Sequence, residues 1–305
     1  MSDSKMSVQE LKKTIVLTLL ARQWEQPRVE AFWLSVRQAG MTVEPGEVCT
    51  LPGTRLTMQR ARATGEPSPE ARATLRLAAE HDGLDLFAES EELFHTKRRL
   101  FAFDMDSTLI QAEVIDELAA LAGVKPQVSA ITESAMRGEI DFPTSLTRRV
   151  GLLTGIPAEK LDGLKQTIRL GDGLEALMDG LKAAGCRTAI LSGGFTFFGS
   201  YLQERLGFDH LCANNLEIAG GVLTGRLASE IVDGARKAKE LKDFAGRVGI
   251  PLTEAVAVGD GANDLPMLAV AGTGVAFHAK PVVRASAGFR IQHCGLDALL
   301  HFLHR

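Results

Sequence analysis

The stretch Leu100–Ile110, LFAFDMDSTLI, decides how this chain is read. An apolar run, Leu100 to Phe103, leads straight into Asp104 and Asp106, with Ser107 and Thr108 behind them. A short unbroken apolar run of this kind suits a strand buried on both faces of a parallel sheet. The acids then fall at the strand's C-terminal end, where open α/β sheets place their ligands. D-x-D alone describes a surface loop equally well, so the rest of the chain has to decide.

Downstream of this strand, Gln111–Ala122 reads as a helix with Val114, Ile115, Leu118 and Leu121 at core spacing. The segment from about 123 to 168 is helical throughout, with breaks at Gly123–Pro126, Phe142-Pro143 and Gly155–Pro157 and no convincing strand. It is expected to form an inserted helical cap, about 113–170, that shields the chemistry beneath it from water. The alternation then returns. Gly173–Ala184 is amphipathic, and Arg187–Leu191 is a strand that ends in a Ser192-Gly193-Gly194 turn and opens a helix over Phe195–Leu206. Leu216–Ile218 and Val222–Leu227 flank Ala219-Gly220-Gly221 as a hairpin. A helix over Ala235–Val248 precedes a strand, Ala255–Val258, that runs into Gly259-Asp260, and Gly274–Phe277 and Leu296–Leu303 close the domain. Such repetition implies a Rossmann-like parallel sheet covered by helices on both faces.

Upstream, residues 14–90 read as β-α-β-β-α-β. Thr14–Leu20 is a strand, and Arg28–Gln38 is a helix with Val29, Phe32, Trp33 and Val36 on one face. Met41–Leu51 and Thr54–Arg62 are strands around Pro52-Gly53. A helix capped by Ser68, with Pro69 at its first position, runs to about Glu80, and Leu84–Phe87 is a last short strand. This order resembles the ferredoxin-like ACT fold, which elsewhere binds amino acids as regulators; a purely structural or dimerising module fits it at least as well. Residues 91–99 read as a linker or short helix. The chain is therefore divided into an N-terminal α+β domain, 1–95, and an α/β domain, 96–305.

Composition narrows the partners. A net charge of −4 and a pI near 6.0 argue against general nucleic-acid binding. No apolar stretch approaches the ~20 residues of a membrane span, and Met1–Lys13 lacks an apolar signal core. The cysteines, Cys49, Cys186, Cys212 and Cys294, form no C-x-x-C pair and are expected to be reduced, mostly buried thiols in a cytoplasm. The histidines show no metal spacing.

In the second domain three apolar strands end in polar turns, Asp104–Thr108 and the glycine-bearing Ser192–Gly194 and Gly259–Asp264. Neighbouring parallel strands would bring these turns to one crevice. Carboxylates crowded there cannot all ionise without a cation, and an all-oxygen set suits Mg²⁺ and not zinc. A Ser-Gly-Gly turn offers backbone N–H groups to an anion. Together they point to phosphate chemistry.

These motifs, with a downstream lysine, resemble the four ordered motifs of the haloacid dehalogenase superfamily. From about residue 100 onward the chain is closer still to the phosphoserine phosphatase family, through E113-V-I-D-E-L, R148-R149-V-G-L-L, L-S-G-G-F and V-G-D-G-A-N-D. The resemblance implies Asp104 as the nucleophile, and Asp106 as the acid for the leaving serine hydroxyl and the base for water. It implies Mg²⁺ on Asp104, Asp260 and the main-chain carbonyl of Asp106, with Asn263 and Asp264 orienting that shell. Ser192, the Gly193 N–H and Lys237 would hold phosphate oxygens, with Lys239 as the competing lysine. Glu113 would take the substrate ammonium and Arg149 its carboxylate, with Arg148 as the competing arginine. Plain alternatives stand beside these: Glu113 as a first-turn helix glutamate, Lys237 and Arg149 as surface cations, Met136 and Phe142 as ordinary core instead of cap residues that wall off water.

The expected function is thus hydrolysis of the small molecule O-phospho-L-serine to L-serine and phosphate through an aspartyl-phosphate, the last step of serine biosynthesis. A phosphatase or phosphotransferase for another amino-acid phosphate, such as phosphohomoserine, is the enzymatic alternative. A serine-binding regulatory protein with an inert core is the alternative of another class. Serine binding at the N-terminal domain and a homodimer stay open; neither nucleic acid nor membrane is expected as a partner.

Overall fold

In the computed structural model, the described residues are 14–304; Met1–Lys13, read above for a signal core, lie outside them. The chain divides into two compact units, one made of the residues up to Leu51 with Arg55–His95, the other of Pro52–Thr54 with the residues from Thr96 onward.

The first unit runs β1 (Thr14–Ala21), α1 (Gln26–Gln38), β2 (Thr42–Thr50), β3 (Thr57–Thr64), α2 (Pro69–His81), β4 (Asp85–Ser90) and a short α3 (Glu91–His95). Its antiparallel sheet has the ferredoxin-like order β2-β3-β1-β4. Helix α1 begins before the expected Arg28 because Pro27 fits a first turn, where no N–H is needed. Ser68 Oγ accepts the Ala71 N–H at 3.2 Å and fixes the start of α2. Leu17, Leu19 and Ala21 of β1 pack against Val29, Phe32, Trp33 and Val36 of α1 and Leu75 and Ala79 of α2. Inside this core, Trp33 Nε1 donates to Gln59 Oε1 at 2.8 Å, so neither polar group is stranded.

The second unit runs β5 (Leu100–Phe103), α4 (Val114–Leu121), α5 (Lys125–Met136), α6 (Phe142–Gly151), α7 (Glu159–Thr167), α8 (Leu174–Ala183), β6 (Arg187–Phe195), α9 (Thr196–Leu206), β7 (His210–Asn214), β8 (Leu216–Ala219), β9 (Val222–Leu227), α10 (Gly234–Val248), β10 (Ala255–Gly259), α11 (Leu265–Val270), β11 (Thr273–Phe277), α12 (Pro281–Ser286) and β12 (Phe289–Ile291). Its sheet has the order β12-β11-β10-β5-β6-β7, with every neighbouring pair parallel. The opening strand lies inside this sheet, fully buried and flanked by β10 and β6. Successive connections leave β5 in opposite directions there, which makes its C-terminal end the crevice of an open α/β sheet.

The structure departs from the sequence reading in several places. Ser192-Gly193-Gly194 is not a turn: β6 continues through it to Phe195, and α9 starts only at Thr196. The edge strands β7 and β12 escaped the reading because one is half-buried without β-branched residues and the other is three residues long. The β8–β9 hairpin is stitched to the cap: Gly155 and Ala158 N–H donate to the carbonyls of Leu223 and Gly221, and Leu223 N–H donates to that of Ile156, all at 2.8–2.9 Å. The cysteines are free, yet only Cys294 is buried; Cys186 and Cys212 are half-buried, and Cys49 is exposed on the edge strand β2. Among the described residues no helix is long and apolar enough to cross a membrane.

Phe32, 1% exposed on the inner face of α1, anchors the first unit. Phe32→Ala is expected to remove about 3–5 kcal/mol from that unit's stability. Both tryptophans of the chain, Trp24 and Trp33, lie in this unit. Urea unfolding followed by tryptophan fluorescence therefore reads the loss directly, and an unchanged midpoint would contradict the packing.

Candidate active site

Asp104 leaves the sheet while still paired to it, its N–H donating to Val258 C=O at 2.9 Å. The chain then wraps around one carbonyl: Met105 C=O accepts from Thr108, Leu109 and Ile110 N–H at 3.3, 2.8 and 3.1 Å. Ser107 adopts φ 56°, a left-handed conformation that non-glycine residues rarely hold outside functional sites. The wrap turns Asp106 back, so that its Oδ1 accepts the Val114 N–H at 3.2 Å at the start of α4. Glu113 is the N-cap of that helix and not part of its first turn. Its Oε1 accepts the Ser107 hydroxyl at 2.8 Å.

Burial lifts the Asp106 carboxyl well above the usual carboxylate range, and the charges of Glu113 and Asp104 lift it further. Glu113 is raised as well, by burial against the opposing pull of the Ser107 hydrogen bond. An acid raised in this way holds a proton that it can deliver.

The end of β6 closes on the same carboxyls. Ser192 is buried, and its Oγ accepts the Gly194 N–H at 2.9 Å. A Cβ on Gly194 would lie 2.3 Å from Asp106 Oδ2, and one on Gly193 2.8 Å from Phe142 Cζ of the cap. Any larger residue would displace the acid or the cap. The N–H groups of Gly193 and Gly194 belong to an extended strand and not to a helix start.

The end of β10 brings in the third acidic group. Lys237, fully buried on α10, sits 2.8 Å from Asp104 Oδ1 and donates to Asp264 Oδ1 at 2.7 Å. Burial opposes its charge, but the two carboxylates outweigh burial and hold the ammonium above its ordinary pKa. Asp264 Oδ2 accepts the Gly261 N–H at 2.9 Å, so both its oxygens are engaged. Burial first, then the charge of Asp104, pushes Asp264 up to about 6, and the same causes push Asp260 up to about 7. Asn263 folds back over Gly261, where a Cβ would meet its Oδ1 at 2.3 Å.

Carboxylate oxygens of Asp104, Asp260 and Asp264 come within 4.8 Å of one another. One lysine does not neutralise three acids, and an oxygen-only donor set matches a hard divalent cation. Asp104 and Asp260 face the cavity, while Asp264 is committed to Lys237 and Gly261.

That cavity, about 970 Å³, opens between these strand ends and the cap. Arg149 of α6 lines it, nearly buried, and burial lowers its pKa against the pull of Glu113, Asp116 and Asp106. Arg148 is exposed, and Lys239 points outward to Asp243. Met136 is not core: it stands at the cavity edge, 67% exposed.

Several wall residues were missed, Ser145 and Lys280 among them. Ser145, one turn before Arg149 on α6, was hidden among ordinary helix positions. Lys280 acts electrostatically on both Asp260 and Glu113. It follows β11, and carrying the strand-end rule one strand further would have found it.

The chain matches the sequence profile of the haloacid dehalogenase-like hydrolases over residues 101–269. It is 44% identical over 252 residues to phosphoserine phosphatase SerB2 of Mycobacterium tuberculosis, an alignment that covers 83% of this chain and 61% of that protein. The crystal structure of a probable phosphoserine phosphatase from Vibrio cholerae superposes with a TM-score of 0.77 and 35% identity, over 94% of this chain and 86% of the other. A solved phospho-aspartyl intermediate analogue of phosphoserine phosphatase superposes with a TM-score of 0.64 and 40% identity, over 68% of this chain and 99% of the other.

Removing the buried ammonium would strand the acids around it. Lys237→Met is expected to lose about 3–5 kcal/mol at neutral pH. Carboxyls whose pKa is raised by folding bind protons more tightly in the folded chain, so they favour the fold increasingly as pH falls. The deficit should therefore narrow between about pH 7.5 and about pH 5, as Asp260 and Asp264 take protons. Unfolding midpoints at both pH values check this; equal deficits would refute it.

Proposed function

The chain belongs to the haloacid dehalogenase-like hydrolases, and within them to the phosphoserine phosphatases, and from that premise we propose that it hydrolyses O-phospho-L-serine to L-serine and phosphate. The observation that carries this reading is the buried Lys237 ammonium 2.8 Å from Asp104, with the raised Asp106 carboxyl against Gly194 beside it. A carboxylate held next to a fixed cation, and a second acid that retains its proton, are the two things that attack on a phosphate ester requires.

An Asp104 oxygen forms a bond to phosphorus as the bond to the serine oxygen breaks, and Asp106 gives that oxygen its proton. Water then displaces the aspartate from phosphorus and returns a proton to Asp106, which serves as acid and then base. Ser192, the Gly193 N–H and Lys237 hold the phosphate oxygens, where charge builds up during transfer. Asp104 and Asp260, with the main-chain carbonyl of Asp106, are the groups that would hold Mg²⁺, oriented by Asn263 and Asp264. Bound there, the ion supplies charge neutralisation between carboxylate and phosphate.

Glu113 and Arg149 select the amino-acid part. A carboxylate for an ammonium and a guanidinium for a carboxylate are matched partners, and both line the same cavity as Asp106. The first unit is assigned amino-acid binding, on the support of its ferredoxin-like strand order alone. Absence of heat on titrating L-serine into the full chain with its active site blocked would remove that assignment.

Phosphate release from phosphoserine tests the reaction. Asp104→Asn and Asp106→Asn are each expected to lower kcat by about a thousandfold or more. Substantial turnover by Asp104→Asn would sink the covalent route. Arg149→Ala should raise KM for phosphoserine about 10–100-fold, the loss of a charge-assisted pair, with little change toward p-nitrophenyl phosphate. Chelation should abolish activity and added Mg²⁺ restore it.

A further inference from the structure

Asn214 is the last residue of β7 and is completely buried. Its carboxamide joins two backbone segments that the sequence keeps far apart. Nδ2 donates to Gly193 C=O at 2.8 Å, and Oδ1 accepts the Val232 N–H at 2.8 Å. The partners fix which end is which, because a carbonyl can only accept and an N–H can only donate. Asn214 forms no part of the cavity wall, so anything it does for the reaction it does through these neighbours.

One neighbour is the Gly193–Gly194 peptide. The β6–β7 ladder slips between Leu191 and Phe195, so regular sheet pairing does not hold this peptide. Side chains hold it instead: Asn214 takes its C=O, and Ser192 Oγ takes its N–H at 2.9 Å. With no Cβ on either glycine, the plane is otherwise soft. Fixing it fixes the torsions that aim the Gly193 N–H. Because Ser192 Oγ accepts from Gly194, its own proton is left to donate to a ligand.

The other neighbour leads to the lysine. Val232 precedes Asp233, whose Oδ1 caps α10 by accepting the Arg236 N–H at 2.8 Å. Asp233 C=O accepts the Lys237 N–H at 2.9 Å, one turn into the helix. Asn214 therefore ties the strand that carries Ser192 and Gly193 to the helix start that carries Lys237.

We infer that Asn214 is a positioning residue that sets the distance between the two halves of the phosphate cradle, the Ser192–Gly193 strand and the Lys237 helix. The inference rests on the assignment of those groups to phosphate binding. It does not depend on which alcohol the phosphate leaves.

The test uses the full chain with Asn214→Ala and Asn214→Asp. The aspartate keeps an acceptor toward Val232 but turns an acceptor toward Gly193 C=O. Misplacing the cradle should lower kcat about 10–100-fold, with KM for phosphoserine within about threefold of wild type. Inhibition by orthovanadate should weaken in step with kcat, and p-nitrophenyl phosphate should show the same loss, because the defect lies on the phosphate side. Asn214→Asp should be at least as impaired as Asn214→Ala. A lowered melting temperature with kcat and vanadate inhibition unchanged would leave only a structural role and overturn the inference. If the alanine variant does not fold, Asn214→Ser is measured by the same criteria. Wild type that turns over p-nitrophenyl phosphate but not phosphoserine would overturn the substrate reading alone, and the variants would then be judged on p-nitrophenyl phosphate.

Discussion

An ammonium with no access to water lies between two carboxylates at the centre of the second unit, Lys237 between Asp104 and Asp264. Such a triad gives little net stability, since desolvating charges offsets most of what their attraction returns. Its value lies in what it prevents. Without the lysine, burial and the charge of Asp104 would push the Asp264 carboxyl up further still. Without the acids, the lysine could not stay charged in a dry site. The sheet order, with β5 between β10 and β6, brings these groups together, and helix α10 supplies the cation from outside the sheet.

Glycine serves this site by leaving space. Gly193, Gly194, Gly259 and Gly261 all lack a positive φ, yet a Cβ on any of them would collide with Phe142, Asp106, Asp264 or Asn263. The motif glycines are there because side chains approach the backbone closely. Ser107 is the reverse case: a residue with a side chain held at positive φ, its hydroxyl donating to Glu113.

The fold was readable where apolar runs were long or fully buried. β5, β6 and β10 announced themselves, as did the amphipathic helices α1, α8 and α10, because burial on one face or both leaves a periodic mark. Edge strands β7 and β12 left none, and the extended conformation of Ser192–Gly194 was misread because a Ser-Gly-Gly run ordinarily signals a turn. At the site, the acids, the lysine and the two glycines of β6 stood out by motif. Asn214 could not, since its importance comes from two backbone partners in distant segments, and no local pattern encodes that. Arg148 and Arg149 were separable only through burial, which depends on the phase of α6 against its neighbours.

The backbone bonds between the loop Gly155–Ala158 and the hairpin β8–β9 bear on which parts of the cap can swing. A flap joined to its base by a single pair of strands can turn about that pair. This one has a second tether, because the hairpin that grips it returns to the core at Asn215, whose carbonyl accepts the Ala228 N–H at 2.8 Å. Outward rotation of α6 and α7 would have to carry the hairpin along and pull on the segment before Lys237. On the opposite side α5 and the Gly138 turn carry Met136 at the cavity edge, and there Arg137, Gly138 and Glu139 N–H donate locally, to the carbonyls of Glu133, Ala135 and Ser134. A shift of that turn would thus stretch none of the bonds between the hairpin and the loop Gly155–Ala158.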